Sequence, residues 1–328
     1  MTGPVAVTGA TGFLGSALIA RLCEDGRRIR LLLRRPPPDL PSGQVMTVDG
    51  DVRDAAATVR LVSGCDTVFH LAALRRSPGP TRDLFHDVNV AAAVALVEAS
   101  VAARVRRFVL VSTAQVFGPS HDVPLDEASP LKFAGDPYAV SRAVALERIE
   151  ALSGRGTEIA VVLPSIVFGP DQRSHRNRVT NHLRRLLRSR ACLSPPGPPA
   201  RRSLAFRNDV VEGILSAEQV AISGSRRFIL AGEDITMDDL NTRTRLLAGR
   251  SPGVQIRIPG KVLRAGAVAA DRLRGFPSDS GYAAALQTLL AEWRYDDSRA
   301  RHELGYRPTP VNDALLTTID FLTREALG

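Results

Sequence analysis

Short, nearly unbroken apolar runs alternate with amphipathic stretches through the first half of the chain. VAVTG (5–9), IRLLL (29–33), VMTVDG (45–50), TVFHLAA (67–73), RFVLVS (107–112) and IAVVLPS (159–165) predict strands. Runs without polar alternation suit strands covered on both faces, as in a parallel sheet. Segments 13–25, 83–101 and 137–153 between them carry helical patterns. This alternation predicts an α/β, doubly wound parallel sheet.

Beyond Pro164 the pattern changes. A basic helical stretch (173–190) is followed by the proline-rich SPPGPPA (194–200), read as a stiff connector. SLAF and RFILAG then read as short strands among helices. The reading divides the chain into residues 1–165, a dinucleotide-binding domain, and 166–328, a smaller, partly discontinuous α/β substrate-binding lobe. Strands near 203–207 and 226–231 are expected to complete the main sheet.

Composition narrows the function classes. The chain has 328 residues, 44% of them hydrophobic, enough for a proper core. Cys23, Cys65 and Cys192 have neither disulfide-framework nor zinc-site spacing, so no metal and a reducing, cytoplasmic setting are expected. MTGPVAVTGATGFLGS lacks a charged leader region, and no stretch reaches eighteen uncharged apolar residues. Neither a signal peptide nor a membrane span is expected. Net charge is +9, and all but Lys132 and Lys261 of the 43 basic side chains are arginines, a skew typical of GC-rich coding. No aromatic platform accompanies the basic stretch, so no nucleic-acid partner is expected. The six histidines (70, 86, 121, 175, 182 and 302) show no ligand spacing and read as structural or exposed.

VAVTGATGFLGSALIARL supplies the first chemistry. Gly9, Gly12 and Gly15 follow a strand and enter a helix. Glycine permits the tight turn, close approach of a pyrophosphate to backbone N–H groups, and close helix–strand packing. The helix N-terminus adds partial positive charge. Thr11, Phe13 and Leu14 belong to the same cradle, and together they indicate a Rossmann dinucleotide site. The second strand ends LLLRRPPP, with Arg34 and Arg35 where an NAD site would carry a carboxylate. An arginine fork suits a 2′-phosphate, so NADPH is expected rather than NADH. Asp51, next to Val52, could accept from the adenine amino group; capping a helix over 53–61 is its other reading.

These motifs, with VFHLAA, DVNVAAAVALVEA, FVLVSTAQVFG, DPYAVSR, LPSIVFGP, FRNDVVEGI and EWRYDDSRARHELGYRPTP, run nearly the whole length of the chain. They resemble the extended short-chain dehydrogenases/reductases: the epimerase, dihydroflavonol reductase and 3β-hydroxysteroid dehydrogenase group. The resemblance implies that Thr113 bonds the substrate carbonyl, Tyr138 donates the proton, and Asn89 helps hold a water chain behind it. It also implies that Leu71, Ala72 and Ala73 line the cofactor, with Pro164, Ile166 and Val167 beside the nicotinamide. Asp209 resembles the start of an inter-lobe helix and reads as its cap. Trp293 and Tyr295 read as C-terminal packing.

Arg142 stands where the resemblance implies lysine. It lies four residues after Tyr138 and so on the same helix face. Arginine can bind ribose hydroxyls and stabilise a phenolate. It does not readily release a proton, so it does not serve as the usual relay. The proton then comes from Tyr138 recharged by water or from an acidic substrate. The expected activity is NADPH-dependent reduction of a ketone on a bulky hydrophobic, polycyclic or polyketide small molecule. Tailoring ketoreductases acting on angucyclinones offer an analogy. Two alternatives remain open: a nucleotide-sugar 4-ketoreductase or epimerase, with Arg173, Arg176 and Arg178 as a clamp, and a non-catalytic NADPH-binding sensor. Monomer and homodimer are both compatible with the sequence.

Overall fold

A computed structural model describes residues 3–35, 43–75, 80–171, 177–189, 191–194, 199–276 and 281–327. The first half contains β1 (Val5–Thr8), α1 (Phe13–Glu24), β2 (Ile29–Leu33), β3 (Val45–Asp49), α2 (Ala55–Val62) and β4 (Thr67–His70). A long helix follows: α3 (Arg82–His86) passes through a π-helical turn (Asp87–Ala91) into α4 (Ala92–Ala102). Next come β5 (Arg107–Val111), a 3₁₀ turn (Ala114–Phe117), α5 (Pro137–Glu150), β6 (Glu158–Pro164) and β7 (Ile166–Phe168). The second half holds α6 (Arg178–Arg188), β8 (Ala191–Ser194), β9 (Arg201–Phe206), α7 (Arg207–Gln219), β10 (Ser225–Leu230), β11 (Asp234–Thr236) and α8 (Met237–Leu247). It ends with β12 (Val254–Arg257), α9 (Gly260–Arg274), α10 (Tyr282–Leu290), α11 (Ser298–Leu304) and α12 (Val311–Leu327).

Seven parallel strands form the main sheet in the order β10-β6-β5-β4-β1-β2-β3. Chain order runs outward in both directions from the β1–β4 boundary. That boundary is the topological switch point at which doubly wound sheets bind ligands. One face packs on α2, α4 and α5 through residues such as Leu61, Leu96, Phe108 and Leu146. The other packs on α1 and α7 through Leu18, Leu22, Val210 and Ile214. Burial on both faces explains the unbroken apolar runs of the central strands; β3, at the edge, is largely exposed.

The strand at Ser225–Leu230 joins the edge of this sheet, as the sequence implied. The strand expected near 203–207 does not. β9 pairs with β7 and β11 in a separate three-stranded sheet, while β8 pairs with β12. An apolar cluster including Phe168, Leu204, Ile235, Leu240 and Leu315 makes a core for this second region. Apolar run length could not distinguish the two sheets, because β9 is buried like a central strand. The helix over Arg82–Ala102 is long and apolar enough to cross a membrane, by length and composition. Here it packs against α2 and α5.

The first turn is the tightest part of the sheet. Gly9 has φ +75°, and a Cβ there would lie 2.6 Å from the Ala72 nitrogen. A Cβ on Gly15 would come within 2.1 Å of the Gly9 carbonyl oxygen. Gly15→Ala must therefore open the turn. Urea denaturation is expected to show a loss of about 1–3 kcal/mol, the usual cost of overpacking; unchanged stability would show that the turn relaxes freely.

Candidate active site

The glycine turn leaves the carboxyl end of β1 at the switch point. Gly12 caps α1, and its N–H bonds the Gly9 carbonyl at 2.9 Å. Thr11, Phe13 and Leu14 thus flank a helix start, where the first N–H groups of a helix lack intrahelical partners. Cβ atoms on Gly9 and Gly15 would collide with the backbone behind this helix start, so glycine there holds the helix end close to the sheet, an arrangement that suits a pyrophosphate. Arg34 and Arg35 follow β2 and are exposed. Arg34 comes within 4.0 Å of Asp51. Asp51 accepts from the Arg53 backbone and guanidinium, which hold its carboxyl below the usual range. The helix-capping alternative for Asp51 is overturned: Asp54 caps α2, accepting from Ala56 and Ala57. Val52 lies in the turn between these two carboxylates.

Leu71, Ala72 and Ala73 continue from β4 alongside this turn. Leu71 N–H bonds the Thr8 carbonyl, and Ala72 N–H reaches the Thr8 hydroxyl at 3.3 Å. Pro164 ends β6, and Ile166 and Val167 lie half-buried in β7. All these residues are at the carboxyl ends of neighbouring strands.

Thr113 leaves β5 and caps the 3₁₀ turn, its hydroxyl accepting from Gln115 N–H. α5 packs against that turn and carries Tyr138 in its first helical turn. Pro137 presets the helix start, and the Asp136 side chain accepts from Ala139 N–H at 2.9 Å. Tyr138 stacks edge-on against Phe85, with ring centroids 6.5 Å apart. Asn89 lies buried in the π-helical turn, a distortion common at functional sites. Its amide exchanges hydrogen bonds with Leu74 and donates to Ser141 Oγ, which donates to the Tyr138 carbonyl. Asn89 therefore fixes the tyrosine's own helical turn.

Arg142 is turned into the protein and is only 2% exposed. Its Nη2 donates to the Val111 carbonyl at 2.5 Å, at the end of β5. Burial pushes its proton affinity down, partly opposed by Tyr138. Below it is His70, fully buried and sharing a 2.7 Å hydrogen bond with the Thr8 hydroxyl. Burial, reinforced by the Arg142 charge, pushes the His70 pKa down to about 3, so the imidazole is neutral near pH 7. Register aligns His70 with Leu110 and Val161. Strand alternation then puts Ser112 and Ser165 on the same, α5-facing side. Among the described residues, Arg142 Nε and Nη1, His70 Nε2 and the hydroxyls of Ser112 and Ser165 are buried without hydrogen-bond partners. Buried polar atoms without partners call for a ligand, solvent or a catalytic role to account for them.

Sequence reasoning missed several residues. Ser141 bridges Asn89 to α5. Arg207, at the start of α7, reaches back to the first turn of α1. Arg202, on β9, is buried with no carboxylate partner among the described residues. Isolated arginines in an arginine-rich chain gave no signal. The capping role expected of Asp209 is also corrected. Its carboxylate accepts from the Thr309 N–H (2.6 Å) and hydroxyl (2.7 Å), tying α7 to the C-terminal segment. Of the expected clamp, Arg178 opens α6, while Arg173 and Arg176 lie outside the described residues. Trp293 and Tyr295 are buried against the main core.

Known proteins place this geometry. The family model of the NAD dependent epimerase/dehydratase family matches residues 5–229. A 2-alkyl-3-oxoalkanoate reductase from Stenotrophomonas maltophilia (strain K279a) is 29% identical, covering 93% of this chain and 94% of its own. A ceramide reductase from Caulobacter vibrioides (strain NA1000 / CB15N) is 30% identical, covering 89% and 86%. Among solved structures, MoeE5 in complex with UDP-glucose and NAD superposes with a TM-score of 0.79 at 26% identity, over 99% of this chain and all of that one. The chain belongs to the NAD dependent epimerase/dehydratase family and is a nicotinamide-dinucleotide-dependent oxidoreductase.

Proposed function

We propose that the enzyme is an NADPH-dependent ketoreductase acting on a carbonyl of a bulky hydrophobic compound, with polycyclic polyketides the substrate class favoured by the sequence. The observation that carries the substrate reading is the concentration of exposed apolar side chains on the C-terminal elements. Val254, Ile256, Val262, Val268, Leu273 and Leu289 all project from β12, α9 and α10. Apolar side chains left exposed on these elements suit contact with an apolar ligand. The similar 2-alkyl-3-oxoalkanoate and ceramide reductases bear names that fit an apolar carbonyl substrate. Preference for NADPH rests on Arg34 and Arg35, which follow β2 without an intervening carboxylate.

The bound dinucleotide supplies hydride to the carbonyl carbon. Gly9 to Gly15 hold its pyrophosphate, and Leu71 to Ala73, Pro164, Ile166 and Val167 flank its path along the strand ends. The Thr113 hydroxyl orients the carbonyl oxygen, and the Tyr138 hydroxyl gives that oxygen its proton. Arg142, inward and cationic, favours the phenolate left behind but does not pass a proton on. Tyr138 is recharged from water, or an acidic substrate supplies the proton itself. Asn89, through Ser141, keeps the tyrosine's helical turn in place.

A nucleotide-sugar substrate is the second reading. It is favoured by buried Arg202, which has no carboxylate partner among the described residues and could meet a diphosphate, and by the likeness to MoeE5.

Replacing both Arg34 and Arg35 with Ala is expected to weaken NADPH binding about tenfold or more, since charge-assisted hydrogen bonds contribute roughly 1.5–3 kcal/mol. NADH binding should hardly change. Fluorescence titration checks this, and equal losses for both cofactors contradict the 2′-phosphate assignment. Tyr138→Phe is expected to lower kcat on a quinone-like ketone roughly a hundredfold, the usual scale of general acid catalysis. NADPH affinity should be retained. Undiminished turnover would move the proton source to the substrate; NADPH binding without turnover of any ketone or 4-keto-sugar by the unmutated protein would favour a sensor.

A further inference from the structure

Arg207 joins two segments that the main sheet leaves apart. Its Nε donates to the Phe13 carbonyl at 2.7 Å, and its Nη2 donates to Ser16 Oγ at 2.7 Å. Ser16 passes the contact on, its hydroxyl donating to the Gly12 carbonyl at 2.9 Å. On the other side Nη1 donates to the Pro170 carbonyl, and Nη2 lies 3.7 Å from Asp171. The guanidinium carbon also sits 4.8 Å from the centre of the Phe13 ring. The side chain is only 11% exposed. One residue of α7 therefore grips both the first turn of α1 and the segment leaving β7.

The charge is as informative as the contacts. The N-terminus of a helix is its positive end, where a cation is disfavoured and an anion is favoured. Asp171, itself buried, pairs with the guanidinium at 3.7 Å and offsets its charge, and the remaining partners are neutral. Neutralised in this way, the arginine can sit beside the positive α1 start, where its hydrogen bonds rather than a net charge act on the turn.

We propose that Arg207 is a positioning residue for the dinucleotide's pyrophosphate. It fixes the backbone of Gly12 and Phe13 through its hydrogen bonds to the Phe13 carbonyl and to Ser16. The inference rests on the cofactor reading above and assigns to that site a residue outside the glycine motif.

Calorimetric titration of the full chain with three probes tests it: NADP⁺; 2′-phospho-ADP-ribose, which keeps the pyrophosphate; and 2′-AMP, which lacks it. Arg207→Gln is expected to weaken the first two about tenfold, equivalent to about 1.4 kcal/mol. The affinity for 2′-AMP should change less than about twofold. Arg207→Lys keeps the charge but not the fork and should fall between, which preserves the test if the Gln variant folds poorly. Equal weakening of all three probes assigns Arg207 a merely structural role and overturns the proposal, as does unchanged affinity for NADP⁺. Failure of the unmutated protein to bind any probe overturns the cofactor reading and this inference with it.

Discussion

Backbone packed directly on backbone at the end of β1 sets the geometry of the whole site. Gly9 lies against Leu71 and Ala72, and Gly15 lies against Gly9, at separations no Cβ would permit. These approaches draw the start of α1 onto the sheet at the point where strand order reverses. The helix N-terminus, the arginines after β2 and the residues after β4, β5 and β6 then share one edge. Neither side-chain packing nor an ion pair could bring the elements as close.

The interior beneath this edge is unusual. Lysine at position 142 would present a flexible point charge, whereas Arg142 is clamped to the Val111 carbonyl and buried. Neutral His70 and the Ser112 and Ser165 hydroxyls face the same layer. A permanently charged guanidinium here acts electrostatically on Tyr138 and leaves proton traffic to other groups. Asn89, held in a π-helical turn, fixes the tyrosine's helix independently of that cation.

Much of the fold was legible because burial on two faces writes itself as continuous apolar sequence. The strands ending in Thr8, Leu33, His70, Val111 and Pro164 follow from that rule, and the helices opening at Phe13 and Pro137 from the helical patterns between them. The rule could not assign β9 to its sheet, since burial alone does not name a partner. Local carboxylates were equally ambiguous. Asp51 and Asp54 are three residues apart, and only the geometry shows which one caps α2. Asp209 lies in the first turn of α7 yet bonds Thr309, a hundred residues away. Long-range ties such as Arg207 to Phe13 and Ser16 have no periodic signature. In a chain whose cations are nearly all arginine, composition conceals them further.

The most direct test of the account is a crystal structure with NADP⁺ bound. The account predicts the pyrophosphate on the N–H groups around Gly12 to Leu14, with nicotinamide C4 facing the space bordered by Thr113 and Tyr138. A dinucleotide bound away from the glycine turn, or one whose nicotinamide ring points away from those two hydroxyls, would contradict it.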